Sequence, residues 1–127
     1  MFIVEYFQLI EKEIAKCPYI DESKIHKERR SLYIGLIEGK ITFFNGSSLY
    51  FLEYVNVKTK PERYKYSYHF QDKEGQLIFR YDLAPHYKDI MTFPHHKHVG
   101  AYKVVQSSAP TLALVLFEIE NEISKDF

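Results

Sequence analysis

The stretch that decides the fold is YKYSYHFQDKEGQLIFRYDLAPHYKDIMTFPHHKH, residues 64–98. Its first half alternates between apolar and polar side chains, and this period of two predicts a hairpin of two half-buried strands. The turn falls at residues 72–75, DKEG, where glycine can adopt a positive φ. The apolar face of the first strand is expected to carry Tyr64, Tyr66, Tyr68 and Phe70.

The other face of the hairpin is polar. A two-residue loop at Glu74-Gly75 sets His69 opposite Arg80, whereas a four-residue loop sets Ser67 there. Both registers place His69, Arg80 and Asp82 on this polar face. A three-residue loop with a bulge would break the inference, because a one-residue slip moves every side chain to the opposite face.

Composition indicates one domain, residues 1–127, that needs neither a metal nor a disulfide to fold. The chain has 11 Tyr and 10 Phe, which indicates a well-packed sheet or a partner-binding surface. Its single cysteine, Cys17, fits packing in a reducing compartment. Without a signal peptide pattern or a long apolar run, we expect a cytoplasmic protein that does not enter the membrane.

Charge is unevenly distributed although the net charge is zero. Residues 1–22 carry two Lys and five acids, and residues 108–127 carry one Lys and four acids, so each terminal segment has a net charge of −3. Residues 23–107 carry fourteen Lys or Arg and eight acids, a net charge of +6. A basic middle can bind phosphates, but acidic helices that keep the chain in solution explain the same pattern.

Periodicity predicts an α+β fold: one curved, mainly antiparallel sheet of about six strands between N- and C-terminal helices. The first helix is expected over residues 2–17, and the second after Ser107-Ser108-Ala109-Pro110, with a serine as N-cap. Early strands are expected at 32–37, 41–44 and 49–57, with turns at Glu38-Gly39 and Asn45-Gly46. The basic run at 24–30 is interpreted as a solvated loop or, alternatively, as a phosphate-facing edge. Residues 83–100 are expected to form a long irregular loop, followed by one more short strand near 102–105.

Glu53 interrupts an otherwise apolar strand face, so it is buried with a partner or faces a pocket. A structural ion pair, with an arginine as partner, is favoured over a catalytic role.

Four histidines lie within thirteen residues, from His86 to His98. One interpretation is acid–base catalysis on RNA, with His69 and either His96 or His98 exchanging protons and with Arg80 and Lys97 as phosphate cations. A second is a divalent metal site, such as zinc, whose ligands are His86, His95, His98 and Asp82. A third gives the histidines only structural roles. Spacing alone leaves all three open.

Several strings of the chain resemble the TumE family of type II toxin–antitoxin toxins. They are Tyr68-His69, IFRYD at 78–82, APH at 84–86 and FPHHKH at 93–98, with the Asn45-Gly46-Ser47 turn, Glu53 and the EIE of the closing helix. The resemblance covers most of the chain. It departs from the family pattern at Leu83, where Asn is usual, and at Tyr87, where a second His is usual.

The resemblance implies a small cytoplasmic toxin encoded beside a cognate antitoxin, and RNA is the expected target. In this interpretation His69 and His96 form the acid–base pair, with His98 also in the site. Arg80 and Lys97 stabilise the phosphate, and Asp82 orients a histidine. Substrate contacts are expected from Lys65, Ser67, Arg80 and Lys97. His86 and His95 anchor the loop.

No cofactor is expected unless the metal interpretation holds. The alternatives are a non-catalytic module that binds protein or nucleic acid, and a metal-dependent hydrolase. Exposed sheet edges also make a homodimer an expectation.

Overall fold

In the part of the chain that the structure describes, seven antiparallel strands follow one another in chain order across a single sheet, and two helices cover one of its faces. The computed structural model describes residues 1–83, 95–100, 103–106 and 109–125; for residue 96 and residues 103–106 it describes the backbone. The elements are α1 (Ile3–Ala15), β1 (Ile20–Arg29), β2 (Ile34–Phe43), β3 (Ser48–Asn56), β4 (Glu62–Gln71), β5 (Leu77–Leu83), β6 (His95–Val99), β7 (Lys103–Gln106) and α2 (Leu112–Ser124). The predicted α+β class is confirmed.

The core lies between the helices and one face of the sheet, which we call the helix face. From α1 it takes the predicted stripe Ile3, Phe7, Ile10 and Ile14. From α2 it takes Leu112, Val115, Leu116, Ile119 and Ile123, also as predicted. The opposite face of the sheet, which we call the outer face, carries the polar positions of the strands. This division places most of the candidate site residues on the outer face.

Strand β1 corrects the interpretation of residues 24–30 as a loop. These residues pair with β2 over nearly the whole strand, and Ile25 lies opposite Gly39. Its side chains are mostly exposed, so β1 is a charged edge strand without the alternation that would have revealed it.

The predicted turn at Glu38-Gly39 is wrong, because both residues lie in the middle of β2. Glycine there has a packing reason: a Cβ on Gly39 would lie 2.6 Å from the carbonyl oxygen of Lys24 in β1. The Asn45-Gly46 turn is confirmed, with Gly46 at φ +86°.

In the central hairpin, His69, Arg80 and Asp82 lie on one face as predicted, but the loop and the bulge that produce this arrangement could not be predicted from the sequence. The loop is the three-residue type, closed by a hydrogen bond from Asp72 N to Gln76 O of 2.9 Å. The pairing of β4 with β5 also has a bulge between Phe70 and Gln71, which shifts the register by one residue and offsets the effect of the three-residue loop. As a result His69 lies opposite Arg80, as the two-residue loop would have placed it.

Tyr64 is a correction within the same strand. A bulge in the pairing of β3 with β4 turns it to the outer face, where its ring meets Tyr54 edge-on at 5.4 Å and its hydroxyl accepts from Asn56 Nδ2 at 2.9 Å. Tyr66, Tyr68 and Phe70 occupy the helix face as predicted and are buried.

Strand β6 replaces part of the predicted irregular loop. Residues 95–99 pair with β5, and residues 96–99 also pair with β7. A run of His-His-Lys-His gives no apolar alternation, so the sequence pattern did not reveal a strand. The short strand expected near 102–105 is found as β7, and β1 and β7 are the two edges of the sheet.

The second helix begins one turn later than expected. Its N-cap is Thr111, whose hydroxyl accepts from Leu114 N at 3.2 Å, and not one of the predicted serines. Cys17 is buried as predicted, and burial raises the pKa of its thiol to about 11. Within the described residues, neither helix has the length and apolar character that a membrane span requires.

Candidate active site

Five side chains form a row across the outer face of the sheet, one from each of five neighbouring strands. They are Lys40, Tyr50, His69, Arg80 and His98, and each is the direct cross-strand partner of the next. We call this set the outer row. Neighbouring strands lie about 4.8 Å apart, so the row spans roughly 19 Å. The pairing therefore brings one Lys, one Arg and two His onto a single line.

Arg80 is the centre of the hydrogen bonding in the row. Its Nε donates to Asp82 Oδ2 at 2.9 Å, and its Nη1 lies 3.3 Å from His69 Nδ1. The Asp82 side chain is only 15% exposed, whereas that of Arg80 is 36% exposed. The pair therefore fixes the guanidinium while leaving part of it open to an anion.

Both ring nitrogens of His69 have hydrogen-bond partners, and of the two only Arg80 favours a neutral imidazole, because the hydrogen bond with Gln71 raises the pKa of His69. Nδ1 can accept from the guanidinium of Arg80, and Nε2 can donate to Gln71 Oε1 at 3.1 Å. Burial and the positive charge of Arg80 lower the pKa of His69 below its usual 6.5. A neutral imidazole at pH 7 is the protonation state that a general base requires.

His98 lies on the other side of Arg80, on β6. Its Nε2 is 3.8 Å from Asp82 Oδ1, and its side chain is 23% exposed. The Asp82 carboxylate thus lies near both Arg80 and His98, and it would compensate the positive charge of a protonated His98.

A cleft of about 550 Å³ opens on the outer face beside this row. Its walls include Glu38, Tyr50, Leu52, Ser67, His69 and Arg80. Ser67 is the cross-strand partner of Asp82 and lies beside the outer row, and its role as a substrate contact stays a prediction. Lys65 is on the same face but is exposed beside Tyr54, outside the lining of the cleft. The cleft is large enough to take part of a polar ligand.

Lys97 does not belong to this cleft, which corrects its predicted grouping with Arg80. Residues of β6 alternate between faces, and Lys97 falls on the helix face, opposite Tyr81. Its Nζ donates to Glu118 Oε2 at 2.9 Å and lies 4.7 Å from the centre of the Tyr81 ring. Burial alone would lower the pKa of Lys97, but hydrogen bonds to Tyr81 and Glu118 outweigh it and raise the pKa. Lys97 therefore ties the sheet to α2.

Because the side chains of β6 alternate between the two faces of the sheet, the ligands expected for the alternative metal site that the structure describes lie on different faces. His95 lies toward the helix face, where its Nδ1 is 2.9 Å from the Tyr66 hydroxyl and its ring stacks on Tyr66. His98 and Asp82 lie on the outer face. The structure therefore does not bring His95 together with His98 and Asp82, and the fourth expected ligand, His86, lies outside the described residues. Among the described residues, no group of three or more His, Cys, Asp or Glu is placed to hold a metal ion.

Of the two remaining predicted histidines, His86 lies outside the described residues and only the backbone of His96 is described. The two departures from the family pattern, Leu83 and Tyr87, are expected in the same loop as His86. Leu83 instead ends β5, whereas Tyr87, like His86, lies outside the described residues. The backbone of His96 pairs with Asp82, so its residue position is on the outer face. The role predicted for His96 stays a prediction.

Glu53 is buried on the helix face, 1% exposed, in a network of tyrosines. It accepts hydrogen bonds from the hydroxyls of Tyr6 and, at 2.7 Å, Tyr68. Arg63 donates to the Tyr68 hydroxyl at 2.8 Å, so the expected arginine reaches Glu53 through a tyrosine. Burial and the Glu53 carboxylate raise the pKa values of Tyr6 and Tyr68. This arrangement fits the predicted structural role.

Sequence reasoning missed two members of the outer row, Lys40 and Tyr50. A signal was available: Tyr50 lies between Leu49 and Phe51, both buried, so alternation sends it to the polar face. Lys40 was missed because β2 was divided by a turn that does not exist.

Comparison with protein families matches residues 9–126 to the family described as Toxin TumE. Neither curated proteins nor solved structures give a significant match. The family match covers nearly the whole chain, including all seven strands, and its description supports a role as a toxin. The chain belongs to the TumE toxin family.

Proposed function

We propose that this chain is the toxin of a type II toxin–antitoxin pair and that it cleaves RNA by acid–base catalysis, with no metal ion in the reaction. One observation carries the proposal. His69 and His98 lie on either side of Arg80, on three neighbouring strands and on the same face. Their backbones are two strand spacings apart, about 10 Å. A phosphate on Arg80 would have an imidazole on each side.

The reaction needs one base, one acid and one cation. His69 takes the proton from the 2′-hydroxyl, and the freed oxygen attacks the neighbouring phosphorus. The bond from phosphorus to the 5′-oxygen breaks as His98 gives that oxygen a proton. Arg80 binds the phosphate oxygens and stabilises the charge that grows on them in the transition state. The products are a 2′,3′-cyclic phosphate and a 5′-hydroxyl end.

The lowered pKa of His69 supports its role as the base. His69 is neutral at pH 7 because burial and Arg80 lower its pKa. Its Nδ1 is held by the 3.3 Å contact with Arg80, and a bound phosphate would draw the guanidinium away and release that nitrogen. Asp82 contributes by holding Arg80, and its Oδ1, 3.8 Å from His98 Nε2, would stabilise the protonated form that the acid role requires.

The biological setting of the proposal follows from the toxin family. The toxin description of the family supports a cognate antitoxin as partner, and a function in the cytoplasm is part of the same proposal. The homodimer expected from the sheet edges stays a prediction.

The test is cleavage of total cellular RNA by the purified protein in EDTA. His69→Ala, His98→Ala and Arg80→Lys should each lower the rate at least a hundred-fold, the scale expected for acid–base and charge-stabilising groups. His96→Ala tests the pairing predicted from the sequence. His26→Ala, on the β1 edge, is the matched control and should cleave like the unmodified protein. Equal rates in the His69 and His98 variants and the control would reject the proposal.

A second candidate function is nucleic-acid binding without catalysis. The aromatic side chains of Tyr54 and Tyr64 meet on the outer face, and the Arg30 guanidinium lies 5.7 Å from the Tyr54 ring centre. Such aromatic and cationic surfaces suit single strands. Tight RNA binding with no cleavage in any buffer would favour this candidate.

A further inference from the structure

Tyr50 is the most accessible aromatic ring of the outer row. It is 40% exposed, lies near the start of β3, and forms part of the cleft wall together with His69 and Arg80. The alternation of β3 explains why a tyrosine can stand there: its neighbours Leu49 and Phe51 are buried on the helix face. The ring is therefore held by a rigid strand rather than by a loop.

The surroundings of Tyr50 combine a stacking surface with positive charge. Lys40 Nζ lies 5.5 Å from the ring centre, so a flexible side chain covers one face of the ring. On the next strand, the His69 ring meets Tyr50 edge-on with centroids 6.2 Å apart. A flat aromatic ligand can replace the ammonium on the ring, and Lys40 would then be free to reach an anion.

The distance from Tyr50 to Arg80 suits a nucleotide whose base lies on Tyr50 while the phosphate lies near Arg80. The two residues are two strands apart, about 10 Å between backbones, with His69 between them. An aromatic base on Tyr50 would thus leave its phosphate near Arg80 and His69. In a duplex the faces of the bases are stacked on one another and are not available to a protein ring.

We propose that Tyr50, flanked by Lys40, is a base-stacking subsite, and that the toxin therefore takes single-stranded RNA. This inference rests on the proposed function, because it assigns Arg80 to the phosphate beside the stacked base. Stacking on an aromatic ring tolerates any base, so the subsite selects single-stranded character and not sequence. Tyr50 is a positioning residue and takes no part in proton transfer.

The test measures binding separately from cleavage. The probe is a short single-stranded oligonucleotide with 2′-O-methyl groups, which cannot be cleaved because the attacking hydroxyl is blocked. Tyr50→Leu should weaken its binding by about five-fold to a hundred-fold, the range for losing one base–aromatic stack. Tyr50→Phe keeps the ring and should bind within about two-fold of the unmodified protein. Phe117→Leu, which alters a 60% exposed aromatic ring on α2, is the matched control and should leave binding unchanged.

Each result has one meaning. Loss of binding in Tyr50→Leu with retention in Tyr50→Phe supports the subsite, even if the unmodified protein proves unable to cleave RNA. Unchanged binding in Tyr50→Leu overturns the subsite, even if RNA is cleaved. Failure of the unmodified protein to bind the probe, or equally tight binding of the same sequence as a duplex, also overturns it. Thermal melting of each variant checks that the fold is intact.

Discussion

Tyr68→Phe should destabilise the protein although it removes a single oxygen atom. Tyr68 is fully buried, and its hydroxyl connects two charged groups. It donates to Glu53 Oε2 at 2.7 Å and accepts from Arg63 Nη1 at 2.8 Å. Phenylalanine keeps the ring in place and removes both hydrogen bonds.

The magnitude follows from the charge of the partners. A hydrogen bond to a charged group contributes about 1.5–3 kcal/mol, because the partner left behind cannot recover its bond with water. Glu53 keeps the hydrogen bond from Tyr6, and Arg63 keeps the one it donates to the Pro110 carbonyl oxygen, so the loss is partial. We expect the free energy of unfolding to fall by about 2–3 kcal/mol, equivalent to a fall in melting temperature of roughly 6–12 °C.

The assay is urea unfolding followed by circular dichroism, with Tyr64→Phe as the matched control. Tyr64 is 45% exposed and its hydroxyl bonds only the surface side chain of Asn56 among the contacts described, so the change should stay within about 0.5 kcal/mol. The double variant of Tyr68→Phe with Glu53→Gln should lose less than the sum of the two single variants, since they share one contact. A Tyr68→Phe effect as small as the control would refute the reasoning.

Three further predictions concern the two faces of the sheet. Lys97→Met should cost roughly 1 kcal/mol of stability by breaking the contact with Glu118, and RNA cleavage should be unchanged; a large loss of activity at full stability would contradict its placement on the helix face. Titration of His69 by NMR should give a pKa below 6.5. In Arg80→Gln this pKa should rise and yet stay below 6.5, because burial is the larger cause of the shift. If His69 is the base, the rate of RNA cleavage should fall with acidification only below pH 6.5. Gly39→Ala should lower the free energy of unfolding by about 1–3 kcal/mol or detach β1, because the new methyl group would meet the β1 backbone. Urea unfolding measures the effect, and an unchanged free energy of unfolding would show that β1 is only loosely paired.

Local patterns were enough to predict the parts of the fold that bury one clear face. The stripe of α1, the stripe of α2 and the aromatic face of β4 all repeat apolar residues with the period of their element. Two registers of the central hairpin were predicted, and the structure has the one with His69 opposite Arg80, although a three-residue loop with a bulge produces it. The agreement depends on a bulge that offsets the three-residue loop, and the sequence pattern does not show this bulge.

The missing elements share a physical cause. Strand β1 is an exposed edge rich in charge, and β6 carries His-His-Lys-His, so neither shows apolar alternation. Because β6 was expected to be a loop, Lys97 and His98 were assigned to one site. In a strand, neighbouring residues face opposite ways, which moves Lys97 to the helix face and leaves His98 beside Asp82.

The candidate site illustrates the same limit. His69, Arg80 and Asp82 could be grouped because they lie in one hairpin, where alternation is local information. Tyr50 joins them only through the pairing of β3 with β4, and that pairing is a property of the whole sheet.

The measurement that tests the central claim most directly is analysis of the ends of RNA cleaved in EDTA. Attack by the 2′-hydroxyl, with His69 as base and His98 as acid, predicts 2′,3′-cyclic phosphate and 5′-hydroxyl ends, and no cleavage where the 2′-hydroxyl is replaced by hydrogen. Products with 5′-phosphate ends, or cleavage that requires a divalent metal, would contradict the account, because water or a metal-bound hydroxide would then be the nucleophile.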